Sequence, residues 1–291
     1  MSADGRRLAG VLEDLARLRR AHDARRPAAL DRLWPVTPAA ASLAELVGAT
    51  ETRNARGRCL RRAVDVEARL PHLRGLGDAL VAGLPETDAL AGLAGDADRL
   101  PAARADELLF LDLETTGLHR GIIVMLGYMT HGPGERPLTV TQLFARDFDE
   151  EAAMLAAFLP ELARRGFMVT FNGRSFDAPF LISRLRFHGF LAPLVFRHLD
   201  LLHLSRRLWK ERLPDCRLQT LERWVLGRRR LGDVAGSEVP RVWEDFVRFG
   251  ELTHLPGIWE HNLRDLATLA ELLLRAAREV PAAAAAGRAF A

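Results

Sequence analysis

Hydrophobic and polar positions change their period several times along the chain, and each change marks an element. Over residues 5–26, Leu8, Val11, Leu12, Leu15 and Leu18 recur at helical spacing with Arg and Asp between them, which predicts an amphipathic helix. The Pro and Ala content from Pro27 to Ala41 predicts a connector. Val64, Val66, Ala68 and Leu70 then alternate with charged residues, as in a half-buried strand over 59–70. From Pro71 to Asp106 the chain is rich in Gly, Ala, Leu and Asp, fits short helices and carries no chemical motif. The first 105 residues thus predict a mainly helical lead-in of unassigned role, with charges that roughly cancel.

An apolar run opens at Leu108 and ends at Gly117, the signature of a buried strand. Strands over 122–129 and 138–145 follow, joined by the turn residues Gly132, Pro133 and Gly134, and short connections favour antiparallel neighbours. A helix over 149–165 places Ala153, Leu155, Ala156, Leu159 and Leu162 on one side, with Asp149, Glu150 and Glu151 in its first turn, where the helix dipole favours acids. A short strand over 167–171, a helix from Asp177 to about His188, a strand-like piece at His198–Leu202 and helices over 201–212, 217–226, 241–249 and 258–279 complete the pattern. Strand and helix alternate, so the expectation is an α/β fold from 106 to 280, followed by a disordered Ala-rich tail over 281–291.

Within the strand at 108–117, Asp112 and Glu114 lie two positions apart and therefore point to one face. At ~5–7 Å and an effective dielectric of about 20, two such charges repel by a few kcal/mol. A divalent cation offsets that repulsion, and hard cations take oxygen ligands of this kind. Two solvated acids at a strand end fit the stretch equally well. Composition narrows the classes around it. A chain of 291 residues with 48% hydrophobic content is long enough to bury a substantial core. The net charge of +3 suits an anionic partner without demanding one, since every basic residue except Lys210 is Arg, a bias that coding-DNA composition explains. Cys59 and Cys216 have no paired spacing, which argues against a disulfide framework or zinc site. Without an apolar leader or a membrane-length run, the expectation is a soluble cytoplasmic protein without membrane contact.

Three further features carry candidate chemistry. Asp177 follows the strand at 167–171 in Asn172-Gly-Arg-Ser-Phe176-Asp177-Ala-Pro179, where it also reads as a plain N-cap. His261 and Asp265 stand one turn apart on the last helix, where an ion pair between them is the plain explanation. The clusters Arg206, Arg207, Lys210, Arg212 and Arg223, Arg228–Arg230 are either solvated faces or phosphate contacts, and Trp209 and Trp224 among them read as core. No Gly-rich phosphate loop follows a strand, which disfavours a nucleotide or phosphometabolite enzyme.

Asp112-Leu-Glu114, Asn172 with Phe176-Asp177, and His261-x-x-x-Asp265 resemble the three motifs of the DEDD superfamily of 3′-to-5′ exonucleases, which have a ribonuclease H-like fold. The wider text is similar to the bacterial YprB-type ribonuclease H-like proteins in Leu-Asp-Leu-Glu-Thr-Thr-Gly, Thr170-Phe-Asn-Gly, His198-Leu-Asp-Leu-Leu-His and His261-Asn262, over about residues 108–275. The resemblance implies a mixed β-sheet flanked by helices. It implies that Asp112, Glu114, Asp177 and Asp265 hold two divalent ions, Mg²⁺ or Mn²⁺, with His261 orienting or deprotonating a water and Asn172 and Phe176 on the substrate side. Two ions about 3.5–4 Å apart would serve both the attacking and the leaving oxygen of a phosphodiester. One departure stands out. Superfamily members with His in the third motif usually carry it five residues before the Asp, whereas His261 occupies the four-residue step where others usually have Tyr. Asp200 has no counterpart in the motifs and reads as structural. The expected function is a metal-dependent nuclease, a 3′-to-5′ exonuclease on DNA or RNA. The alternative is a nucleic-acid-binding or scaffolding module of the same fold with little turnover.

Overall fold

Alternate residues of the strand Leu108–Thr115 serve two different cores. Leu108 and Phe110 belong to one apolar cluster, Leu109, Leu111 and Leu113 to another, so the strand is buried on both faces. The computed structural model describes residues 38–83, 105–117, 121–132, 138–165, 167–190, 197–230 and 232–285. The helix predicted over 5–26 lies outside these residues.

The described elements run, in chain order, α1 (Pro38–Val47), β1 (Thr50–Asn54), β2 (Gly57–Asp65), α2 (Val66–Arg69), α3 (Leu76–Gly83), β3 (Leu108–Thr115), β4 (Ile123–His131), β5 (Leu138–Phe144), α4 (Glu151–Arg164), β6 (Phe167–Thr170), α5 (Asp177–Phe187), β7 (Arg197–Asp200), α6 (Leu201–Trp209), α7 (Leu218–Trp224), α8 (Val239–Phe249) and α9 (Leu255–Ala285). The strands form a mixed sheet of order β1-β2-β5-β4-β3-β6-β7. Neighbours from β1 through β3 pair antiparallel, while β3, β6 and β7 pair parallel. The short β3–β4 and β4–β5 connections give antiparallel pairs, and the crossovers through α4 and α5 give parallel ones.

Helices cover both faces, as expected for the ribonuclease H-like mixed sheet. On one side α3, α6 and α9 press Leu76, Leu80, Leu204, Leu266, Leu269 and Leu273 onto Phe110, Val140 and Val169. On the other, α4 and α5 bring Met154, Phe158, Leu181 and Leu185 against Leu111, Leu126 and Met168. Each fully buried Leu or Phe of this kind contributes roughly 1.5–3 kcal/mol. A third cluster joins Leu60, Val124 and Phe144 to Trp243, Phe246 and Trp259 of α8 and α9. Among the described residues no helix is long and apolar enough to cross a membrane.

Three boundaries differ from expectation. The strand predicted over 59–70 stops at Asp65, because the Asp65 carboxylate accepts from the backbone N–H of Glu67 and Ala68 and starts α2. With β1, it extends the same sheet from within the 1–105 segment read as mainly helical. α1 begins inside the Pro- and Ala-rich stretch read as a connector. α9 continues through Pro281 to Ala285, into the stretch predicted to be disordered, and residues 286–291 lie outside the described ones.

Candidate active site

Asp112 and Glu114 project from β3 on the Phe110 side, towards α9, and the β3–β4 register shifts between Glu114 and Thr115. Such an extra residue bends a strand and re-aims its side chains. Here the extra residue is Val124 of β4, opposite the acid pair on β3. Asp112 faces Gly127 of β4, and Gly127 faces Gln142 of β5, which makes a row across three strands. Asn262 of α9 fills the space above Gly127, where any Cβ would overlap its amide. Its Nδ2 donates to Asp112 Oδ2 at 2.7 Å and to the Asp112 carbonyl at 3.2 Å. Its Oδ1 accepts from Gln142 Nε2 at 3.0 Å, which also donates to the Trp259 carbonyl at 2.7 Å. Asp112 is thereby oriented by a fixed amide chain.

Asp177 is the first residue of α5, not its N-cap. Phe176 holds that position without a side-chain capping bond. The Asp177 carboxylate turns instead to the sheet, where Oδ1 accepts from Leu113 N–H at 3.1 Å. That bond brings the third acid to the strand that carries the first two.

His261 and Asp265 complete the group from α9. His261 Nε2 lies 3.5 Å from Asp265 Oδ2 and 3.9 Å from Glu114 Oε1, so the ring stands between the strand acids and the helix acid. Its Nδ1 faces Asp233 Oδ2 at 3.0 Å. Arg230, only 9% exposed, contacts four acceptors or charges here: Glu222 through two bonds of 2.6 Å, Asp233 at 2.9 Å, Asp265 Oδ1 at 2.5 Å and His261 Nδ1 at 3.5 Å.

The electrostatics follow from burying like charges together. Burial, then the charge of Asp265, pushes Asp112 up to about 7. Glu114 and Asp177 are raised well above the usual carboxylate range, first by burial and then by Asp112. Burial also raises Asp265, against the pull of His261 and Arg230. Burial by itself would lower His261, but its bond to Asp233 and the charges of Asp265 and Glu114 outweigh this and hold it at about 10. Burial works against Asp233 too, yet His261 and Arg230 bring it down to about 2. While these carboxylates keep their charge, His261 keeps its proton.

Comparison with known families places this mixed sheet. The profile of the RNase H superfamily matches residues 109–277, more than half of the chain. This chain belongs to the RNase H superfamily. Its sequence is also similar to the Uncharacterized protein YprB of Bacillus subtilis (strain 168), 34% identical over 180 residues, which cover 60% of this chain and 43% of that relative. The chain thus aligns with less than half of the relative's length. All of Asp112, Glu114, Asp177, His261 and Asp265 fall within the RNase H superfamily match.

Do these residues suit divalent cations? Their donors are carboxylate oxygens, the ligand type that hard cations take. Asp265 Oδ1 is buried with no aligned hydrogen-bond donor, since Arg230 meets it off-axis. Burial first, and then their mutual repulsion, raises Asp112, Glu114 and Asp177, and a cation bound among them would offset both. The donor chemistry therefore fits. Spacing is looser: among the described residues no three His, Cys, Asp or Glu side chains stand close enough together to hold a metal ion as they are. Arg230 is the cation that meets Asp265 in this arrangement.

The remaining sequence candidates fall outside this group. Asn172 is exposed with a left-handed backbone at φ 62°, and Phe176 is half-buried against Phe180. Asp200 serves structure, accepting from Asn172, Arg174 and Leu202 N–H groups and capping α6. Within the basic clusters, Arg228 pairs with Glu271 and Arg212 with Glu279, so these two are not free phosphate contacts. Trp209 is core and donates to Glu279, whereas Trp224, also read as core, is 59% exposed with Arg223 over its ring.

Asp233 and Gln142 were not among the candidates, and Arg230, read with its neighbours as a solvated face or phosphate contact, is instead buried against Glu222 and Asp265. Arg230 was hidden in a run of three Arg and Asp233 in a Gly-rich loop. Asn262 does stand beside His261, but only the pairing of β3, β4 and β5 brings Gly127 and Gln142 beneath it.

Proposed function

We propose that this RNase H superfamily chain is a metal-dependent nuclease that hydrolyses phosphodiester bonds, acting as a 3′-to-5′ exonuclease of the DEDD type. The observation that carries the reading is the burial of four acids, Asp112 and Glu114 on an internal strand, Asp177 bonded to that strand at Leu113 and Asp265 on α9, with His261 Nε2 between Glu114 and Asp265. A structural ion pair has no need of four acids held against their mutual repulsion.

Asp112 and Glu114, fixed on β3, and Asp177 and Asp265 would hold two cations, Mg²⁺ or Mn²⁺. When bound, such ions activate a water and stabilise charge on the phosphodiester oxygens. The protein's own part is orientation. Asn262 fixes the Asp112 carboxylate, the Leu113 N–H fixes Asp177, and His261 directs Nε2 into the acid cleft, where it can orient a water or receive its proton once the carboxylate charge is neutralised. Asn172 and Phe176, on the loop before α5, are proposed substrate-side residues, and the substrate is DNA or RNA.

A second reading has its own support. Arg230 already neutralises Asp265 and no ready cation cage is present among the described residues, as a nucleic-acid-binding module with little turnover would allow. Incubation with 5′-labelled, 3′-labelled and circular substrates in Mn²⁺ tests the nuclease reading. A ladder shortening from the 3′ end, with circles intact, supports the exonuclease. Cut circles refute end dependence, and salt-sensitive binding without any cleavage favours the binding module.

A further inference from the structure

The segment between α7 and α8 brings two side chains to the site from outside the acid set. It is pinned to α9 at Gly257, where a Cβ would overlap Val234, and it passes His261 closely enough that a Cβ on Gly236 would lie 3.8 Å from Nε2. Just before these two points Asp233 Oδ2 faces His261 Nδ1 at 3.0 Å and accepts from Arg230 Nη1 at 2.9 Å. Arg230 is locked in turn by its two bonds to Glu222, and Thr268 of α9 donates to Glu222. The chain of contacts therefore starts and ends on the helix that carries His261.

An imidazole has two nitrogens, and the partner of one decides what the other can do. A carboxylate on Nδ1 requires a proton there and fixes the plane of the ring. For His261 this leaves Nε2 aimed between Glu114 and Asp265. We infer that Asp233, held by Arg230, is a positioning residue for His261: it accepts a hydrogen bond from Nδ1–H and so turns Nε2 towards Glu114 and Asp265. The inference rests on the nuclease reading above, because there Nε2 has a water to orient. The competing account is that Asp233 only balances the charge of Arg230.

Nuclear magnetic resonance of the histidine-labelled full chain reads the Nδ1–H group directly, and steady-state cleavage of a labelled oligonucleotide with Mn²⁺ reads its consequence. The expected result is an exchange-protected Nδ1–H signal of His261 in the wild type and its loss in Asp233→Ala. kcat should fall by ~10–100-fold, the scale on which partners that orient a histidine act, while KM changes by less than about twofold. Asp233→Asn keeps a side-chain acceptor and should recover the signal and part of kcat. Should Asp233→Ala not fold, Gly257→Ala, whose Cβ would overlap the side chain of Val234 next to Asp233, is expected to weaken the same signal and kcat. Survival of the Nδ1–H signal in Asp233→Ala, or its loss with kcat unchanged, overturns the inference. A wild type that cleaves nothing, yet shows the signal and loses it in Asp233→Ala, overturns the nuclease reading while upholding the hydrogen bond.

Discussion

Asn262 occupies the volume that a side chain at Gly127 would need, and from there it donates to Asp112. The strand β4 therefore supplies no atoms to the site except by having none at this position. Gly127→Ala should force Asn262 aside and cost ~1–3 kcal/mol of stability, the usual range for overpacking a filled core. Urea unfolding checks the cost. Asn262→Ala in the Gly127→Ala background should restore much of the stability, because the clash is gone, without restoring the contact to Asp112.

Asp177 separates stability from chemistry. Its Oδ1 accepts from Leu113 N–H, and an Asn can keep that bond while removing a buried charge beside Asp112. Asp177→Asn is expected to unfold within about 1 kcal/mol of the wild type or above it, and to lower Mn²⁺-dependent cleavage by ~100-fold or more, since each tenfold is 1.36 kcal/mol of lost stabilisation. A loss of stability matched by unchanged cleavage would make Asp177 structural.

Glu151 tests the opposite case, an acid with no part in the site. It is fully buried and joins Arg184, His188 and the Ile123 N–H. Glu151→Ala leaves Arg184 without its partner and should cost ~3–5 kcal/mol in denaturant unfolding. Cation binding by the remaining folded protein is expected to be unchanged.

His198 predicts a pH dependence. Burial pushes it down to about 4, with Thr170 Oγ1 at 2.7 Å from its Nε2. The folded state thus binds the proton less readily than the unfolded chain, whose histidines titrate near 6.5. The contribution is complete above pH 6.5 and is lost as pH falls towards 4, by at most about 3 kcal/mol. His198→Gln should remove that part of the acid sensitivity between pH 6.5 and 4. A ring titration followed by magnetic resonance, with a midpoint near 6.5, would contradict the account.

How much of this was legible beforehand depends on sequence distance. The apolar run from Leu108 read as a buried strand, and the helical spacing of Ala153, Leu155 and Leu162 read as a buried face, both hold, because burial acts on neighbours one or two turns apart. His261 and Asp265 were visible for the same reason. The extent of β2 was not, since alternation continued past Asp65 while its capping bonds had already turned the chain. The alternative of Asp177 as a plain N-cap fails because its acceptor role, towards Leu113, spans 64 residues. Asp233 was missed, and Arg230 was given a solvated or phosphate-facing role, because their partners Glu222, His261 and Asp265 meet them only in the folded protein. A single charged residue gives no sign of which distant charge it will face.

The most direct test of the central claim is chelator-sensitive cleavage by the purified chain. Labelled single-stranded and duplex DNA and RNA are incubated with Mg²⁺ or Mn²⁺, with and without chelator, beside Asp112→Ala. The account predicts cleavage that needs the cation and falls by ~100-fold or more in Asp112→Ala, in line with several kcal/mol of lost cation-based stabilisation. Cleavage that survives Asp112→Ala or excess chelator, or none on any substrate, would contradict it.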